Sequence, residues 1–598
     1  MQKPIRLAMH STFKVIVVGC LLATSVSLLS LRKSDERPAQ QIQQKLIQQS
    51  DSLLKAVGLL RSTPFDAAHK QLLQQRFKQV RLVYKRMEWA VEYFDPLTTR
   101  LVNGPPVPEV EISGLIIDPD GLQVIEGYIF PHISSGKKRD MAGLFERLTT
   151  NVLSFKDRFK HADLQDWQIL DAAKQEVFRV ESLGLNDFDD PLLQNCFNES
   201  AVALQSVQEV IHRYDSAIDF KSAIRHLRRP VNFDHFDRAA FIIRYANPLT
   251  RELTQLHNRL KLPNIRYNRL LNQDASTLFE PNAYNRNAFI AAPADSATTD
   301  KIALGKRLFF DPILSGNGAR SCATCHQPDK AFTDGLPKNL DITGKKLVAR
   351  NTPTLINAAL QPAQFYDLRA PSLEDQASDV VRNRDEMHGD MQVAIGKLWR
   401  DESYRKLFEK AYQTQNRAAI DTFEVMNALA SYVRSLTALN SRFDKFMHGD
   451  SKALTSAEIN GFNLFMGKAK CGTCHYMPLF NGALPPRYMQ MEAEVIGVPK
   501  SKNNKQIDTD PGMYGIQPLD FNNHSFKVTT VRNAARTAPY MHNGIYKTLD
   551  EVIDFYDKGG GVGAGIKVPN QTLSADQLNL TVKEKADLVA FIKSLDSR

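Results

Sequence analysis

Two pentapeptides constrain this chain more than anything else in it: Cys322-Ala323-Thr324-Cys325-His326 and Cys471-Gly472-Thr473-Cys474-His475. A Cys-x-x-Cys-His run is the attachment signature of a c-type haem: two thioethers tether the porphyrin and the adjoining histidine ligates the iron. With 6 cysteines and 14 histidines in 598 residues, chance supplies roughly 0.001 such runs. Two covalently bound haem c groups are therefore expected, with His326 and His475 as proximal ligands. A zinc site or a disulfide pair is the weaker reading, because both cysteine pairs carry the extra histidine.

A hydrophobic content of 43% and a charged content of 24% are ordinary globular values, so the chain can bury a sizeable core. The formal charge of +10 is modest for this length, and the propionates of two haems offset part of it. No Lys/Arg run suggests a nucleic-acid groove, so nucleic acid is excluded as a partner.

At the N-terminus, Lys3, Arg6 and Lys14 precede an apolar run from Val15 to Leu31 that Arg32 and Lys33 close. Residues 1–33 therefore read as an export signal or a membrane anchor. Val17-Val18-Gly19-Cys20 resembles a lipoprotein processing site, but the apolar run continues past Cys20, which favours a signal-anchor. Either reading places the bulk of the chain outside the cytoplasmic membrane, in the periplasm, where c-type haem is attached. Cys196 is left as an unpaired, buried thiol.

From about 40 to 280 the pattern is helical. Phe77, Val80, Tyr84, Met87, Val91 and Phe94 recur at steps of three and four and form one apolar stripe. Asp95-Pro96 ends it, and Asn103-Gly104-Pro105-Pro106-Val107-Pro108 reads as a rigid loop. Further amphipathic stretches cover about 140–180, 200–228 and 236–260. Tyr84-Lys85-Arg86-Met87-Glu88, the Asn-Gly-Pro loop and Gly121-Leu122-Gln123-Val124-Ile125-Glu126 weakly resemble imelysin-like helical domains. Gln123 stands where that family's Gly-x-His-x-x-Glu motif has its histidine, so metal binding does not carry over.

Pro281 to Asp300 is a Pro/Ala/Asn/Asp-rich linker, and an internal repeat follows it. Gly305-Lys306-Arg307-Leu308-Phe309 precedes the first haem motif; Gly461-Phe462-Asn463-Leu464-Phe465 precedes the second. Each unit closes with a helical stretch, Val425 to Leu439 and Lys583 to Leu595. An N-terminal helix crossing a C-terminal one beside a covalently held haem is the cytochrome c fold. The expected fold is all-α: an N-terminal helical bundle over 34–285, then two cytochrome c-like haem domains over 286–450 and 451–598.

The groups opposite each proximal histidine decide what such a pair can do. A haem with two strong protein ligands passes electrons, and one with an open face binds an oxidant. Residues 301–598 closely resemble the bacterial dihaem cytochrome c peroxidase/MauG family. The likeness rests on Arg350 to Ala358, Phe365-Tyr366-Asp367-Leu368-Arg369, Leu373-Glu374-Asp375-Gln376-Ala377, Glu386-Met387 and Thr537 to Gly544.

That resemblance implies that Gln376 and Glu386 lie over the open iron face of the first haem. A carboxylate suits the proton transfer that splitting an O–O bond requires, and a neutral amide can hold the bound oxygen. His542 is implied to line the same pocket. Family members that block the resting peroxidatic iron do so with a histidine upstream of the Asn351 region. None occurs here from Gln327 to Arg350, so the first haem is expected to be open; His388 is the nearest later histidine that could intrude. Tyr556 occupies the second-haem ligand position, where peroxidases use methionine and MauG a tyrosine; Met541, Met513, Met491 and Met489 are the fallback ligands, while Met477 sits too close to His475. A phenolate ligand favours ferric over ferrous iron. Tyr366 matches the family's inter-haem tryptophan, as a charge relay or as plain packing. One calcium ion is implied between the two haem domains, on the Asn351 side-chain oxygen and the carbonyls of Thr537 and Pro539, a hard cation on neutral oxygens.

The function so implied is an extracytoplasmic peroxidase that reduces hydrogen peroxide at the first haem with electrons relayed through the second. The donor is a small redox protein, a cytochrome c or a cupredoxin. The alternatives are a MauG-like oxidation of a partner protein and a non-catalytic electron-transfer module.

Overall fold

The computed structural model describes residues 37–110, 116–265, 269–413, 419–502 and 505–597. The expected signal or anchor segment, 1–33, lies outside the described residues. Among the described residues no helix is long and apolar enough to cross a membrane. Helix dominates. The exceptions are two short antiparallel pairings, Glu109–Val110 with Ile116–Ile117 and Ala493–Glu494 with Phe526–Lys527.

The apolar stripe of the N-terminal part is buried as its period demands, with Phe77, Val80, Tyr84, Met87 and Val91 fully enclosed. It does not run on one helix. The chain breaks into Lys70–Tyr84 and Glu88–Phe94, with Arg86 and Met87 donating to carbonyls three residues back, a tightened turn. The break keeps Lys85 inside, where its ammonium bonds Glu88 and Asp189. Asp95-Pro96 ends the second helix and starts the next, Pro96–Asn103, with proline at its favoured first position. The other amphipathic stretches fold as Lys138–His161, Asp166–Arg179, Cys196–Ile211, Lys221–Leu227 and Asn247–Arg259. Gln123 is buried and donates to the Asn103 carbonyl. Glu126 accepts from the backbone of Leu192 and Leu193, so both polar residues of the altered motif serve the backbone. The Pro/Ala/Asn/Asp-rich stretch carries no long element yet is packed: Ala283, Tyr284 and Ala288 are buried, and Tyr284 meets Tyr488 edge-on at 5.9 Å.

The internal repeat proves to be a repeated helix crossing. Thr299–Phe310 packs across Thr422–Ser435, and Ser456–Met466 across Val582–Ser594. Each crossing is made at the repeat's glycine. A Cβ on Gly305 would lie 1.8 Å from the Ala428 carbonyl oxygen, and one on Gly461 2.0 Å from that of Asp587. Only a residue without a side chain permits so close a backbone approach.

Buried apolar side chains fall into two large clusters. One holds most of the first crossing with Met387, Leu398, Tyr404 and Phe408. The other runs without interruption from the N-terminal helices into the second crossing, through Phe443, Phe462, Phe480 and Phe591. In the first cluster Arg434 makes a bidentate bond to Glu374 at 2.7 and 2.8 Å, which ties the helix Leu373–Arg382 to Thr422–Ser435.

Candidate haem centres

Both pentapeptides open into one cavity of about 1440 Å3, lined by Cys322, Cys325, His326, Cys471, Cys474 and His475. Sites for a single small ligand run to about 300–1,000 Å3, so this space suits more than one such group.

The two histidines are held alike. His326 Nδ1 lies 2.9 Å from the Phe332 carbonyl, and His475 Nδ1 lies 3.0 Å from that of Thr529. A carbonyl can only accept, so in each ring Nδ1 carries the proton and Nε2 keeps its lone pair, the arrangement of a metal-bound imidazole. Burial favours the neutral ring in both, pushing His475 down to about 4. The acceptors are supplied differently. Ala331 and Phe332 take left-handed backbone conformations that turn the chain back under His326. Thr529 instead comes from the segment that leaves the Phe526–Lys527 strand. Two neighbouring thiols, a neutral imidazole with Nε2 free and an adjoining cavity fit a covalently held haem at each motif.

On the first site, Gln376 and Glu386 line the cavity, as does His542. Gln376 projects from Leu373–Arg382, whose start Ser372 caps by accepting from Asp375. Glu386 follows that helix, and its carboxylate accepts from Asn383 Nδ2 at 2.9 Å. Arg320 donates to the Glu386 carbonyl at 3.2 Å. Burial raises the Glu386 carboxyl above its ordinary value, with Arg369 and Arg320 opposing. His542 is buried and stacked on Phe526 with centroids 3.8 Å apart. Its Nε2 lies 3.2 Å from Asp508 Oδ1, and that contact holds the Asp508 carboxyl well below the usual range. His388 is exposed and absent from the cavity wall.

On the second site, Tyr556 lines the cavity from the helix Leu549–Asp557, and its hydroxyl makes no hydrogen bond among the described residues. Burial raises its pKa. Of the fallback methionines, Met541 lines the cavity; Met489, Met491 and Met513 do not, and Met477 is buried in the core.

Between the two motifs, the Tyr366 hydroxyl donates to Asn351 Oδ1 at 3.3 Å, and its carbonyl accepts from the Lys527 backbone at 2.7 Å. The Asn351 N–H donates to the His542 carbonyl at 2.7 Å, beside Thr537 and Pro539 in the cavity wall. Arg350 spans the same seam, bonding Asp367 at 2.6 Å and Asp510 at 2.7 and 2.9 Å. From sequence, Arg350 is named only as the first residue of its motif, with no role, and Asp508 and Asp510 are not named; the only local signal of these two is the acid-rich run Asp508-Thr509-Asp510.

Residues 299–452 match the family model described as di-haem cytochrome c peroxidase. Cytochrome-c peroxidase IdrP2 of Denitromonas iodatirespirans is 32% identical over 323 residues, half of this chain and 83% of that protein. The chain belongs to the di-haem cytochrome c peroxidase family. Methylamine utilization protein MauG of Methylorubrum extorquens is 34% identical over 302 residues, covering 50% of this chain and 80% of that one. Cytochrome c551 peroxidase of Nitrosomonas europaea is 31% identical over 298 residues, with the same coverage. As a member of this family the protein is a peroxidase-type oxidoreductase that carries two c-type haems.

Proposed function

We propose that this di-haem peroxidase reduces hydrogen peroxide at the site of His326 and draws its electrons through the site of His475 and Tyr556. The observation that supports the reading is a single cavity whose lining holds both Nδ1-anchored histidines together with the half-buried Glu386 carboxylate, the Gln376 amide and the Tyr556 phenol. The haems, when bound, supply the coordination place for peroxide and the path for electrons. Glu386 would accept a proton from one peroxide oxygen and deliver it to the other, and Gln376 would donate a hydrogen bond to the bound peroxide. Overall, hydrogen peroxide with two electrons and two protons gives two waters. Asn383 and Arg320 keep the Glu386 segment in place, and Asp508 fixes the His542 ring.

The Tyr366 carbonyl accepts from the Lys527 N–H of the second unit and its ring lines the shared cavity, which supports its role as relay. Neutral oxygens of Asn351, Thr537 and Pro539 along that seam suit one calcium ion. The division 34–285, 286–450 and 451–598 is proposed with them, as is an extracytoplasmic location with a possible anchor in 1–33. The electron donor is a small redox protein, cytochrome c or cupredoxin. A partner protein oxidised in the MauG manner is the second reading, favoured by tyrosine rather than methionine at 556.

Spectroscopy of the resting holoprotein tests this. One high-spin and one low-spin haem are expected, with peroxide changing the spectrum and Tyr556→Phe altering the low-spin haem alone. Two low-spin haems that ignore peroxide would mean an electron-transfer module instead.

A further inference from the structure

We propose that the N-terminal helical unit is itself part of the second haem site, with Asn186 to Phe188 closing the pocket of the Cys471–His475 loop and Asp187 giving it a fixed negative charge. These residues lie outside the stretch that matches the family model, 299–452. The inference rests on a haem attached at Cys471 and Cys474.

Three consecutive side chains engage the attachment loop or its cavity. Asn186 Nδ2 donates to the Gly472 carbonyl, inside the pentapeptide, at 2.7 Å, and to the Ser182 carbonyl at 3.0 Å. Its Oδ1 accepts from the Phe188 N–H at 3.1 Å, so the amide is fully used as a clamp. Gly472 is hemmed in on the other side: a Cβ there would lie 2.6 Å from Met466 Sδ and 3.5 Å from Asn186 Nδ2. Phe188 meets Tyr476 edge-on, with centroids 5.6 Å apart. Phe188 and Asp187 both line the cavity that contains Cys471, Cys474 and His475.

Asp187 has one side-chain partner, the Cys196 thiol. It holds a left-handed backbone conformation, φ 61°, and is 7% exposed. Its Oδ1 has no hydrogen-bond partner among the described residues. An unpaired oxygen on a buried carboxylate calls for a ligand or charge to face it. The groups around it are Cys196, Arg238, Lys470, Glu199 and Asp190. Arg238 spends its guanidinium on the carbonyls of Leu185, Phe236 and Phe233. Burial lifts the Asp187 carboxyl to about 6, which still leaves it mainly ionised at neutral pH. Arg238 and Lys470 oppose that lift, and the cavity Asp187 lines is the one that would hold the haem attached at Cys471 and Cys474. An anion there favours ferric over ferrous iron and lowers the potential, in the same sense as a phenolate from Tyr556.

The test uses the full-length holoprotein, with redox titration resolving the two haems and EPR following the low-spin one. Asp187→Asn removes the charge and keeps a residue at ease in the left-handed region. It should raise the midpoint potential of the second haem and leave that of the first unchanged. Asn186→Ala should shift the low-spin EPR signal or cost the second haem its attachment, while the first haem is retained. If both variants carry two haems per chain with a wild-type second-haem potential and EPR spectrum, the proposal is overturned. Should Asp187→Asn not accumulate, Phe188→Leu decides, and an unaltered second haem in that variant is equally fatal. A wild-type chain carrying only one haem would instead defeat the two-haem reading beneath.

Discussion

Replacing Glu386 by glutamine isolates proton transfer from shape. The carboxylate accepts from Asn383 Nδ2 at 2.9 Å, and an amide oxygen can accept the same bond, so the side chain keeps its place and loses only its ability to carry a proton. A positioned acid–base group contributes about 10²- to 10⁴-fold, or roughly 2.7–5.4 kcal/mol of barrier. Gln376 and the rest of the site are untouched, so the expected loss in kcat/KM for peroxide is on the order of 10³-fold. Steady-state peroxide reduction with a reduced small redox protein or an artificial reductant measures it. The pH profile adds a second readout. Burial raises the Glu386 carboxyl, and the carboxylate must be ionised to take the first proton. Wild-type kcat/KM should therefore fall as pH drops through that raised pKa, and this acidic limb should vanish in Glu386→Gln. A variant within about threefold of wild type, about 0.65 kcal/mol, that also retains the acidic limb would refute the role.

Other consequences are equally open to measurement. Gly461→Ala should destabilise the chain by about 1–3 kcal/mol or more, because the new methyl would stand 2.0 Å from a backbone oxygen and 2.7 Å from Phe591 Cβ; an unchanged thermal midpoint would contradict the crossing. Glu374→Gln leaves Arg434 buried without its anion, at a cost of about 3–5 kcal/mol in denaturant unfolding followed at the first haem. A loss below about 1 kcal/mol would show that the bidentate pair is dispensable. Removing divalent cations with a chelator should lower peroxidase turnover, with recovery on adding Ca2+; turnover indifferent to both treatments would remove calcium from the seam.

What the sequence made legible is what local chemistry dictates. The pentapeptides are fixed by covalent attachment, and the paired Gly305 and Gly461 are fixed by helix crossings that repeat with them. The stripe from Phe77 to Phe94 announced a buried helical face but not its interruption at Lys85 to Met87, because the interruption serves ion pairs to Asp189, 104 residues away. Asp508 under His542 and Asn186 on Gly472 were invisible for the same reason: their partners stand 34 and 286 residues off, and nothing in the neighbouring residues encodes the meeting. Tyr556 was legible only through family likeness. An amphipathic helix offers no internal sign that one of its tyrosines faces a cavity rather than a core.

The partition of apolar packing has a consequence for how this molecule comes apart. The first haem unit stands on its own cluster, whereas the second is moored in a cluster continuous with the N-terminal helices. Cooperative opening follows such contiguous blocks. The two porphyrins thus report mainly on different blocks: loss of the second chromophore during denaturation should track the melting of the helices between Pro38 and Arg259 more closely than loss of the first.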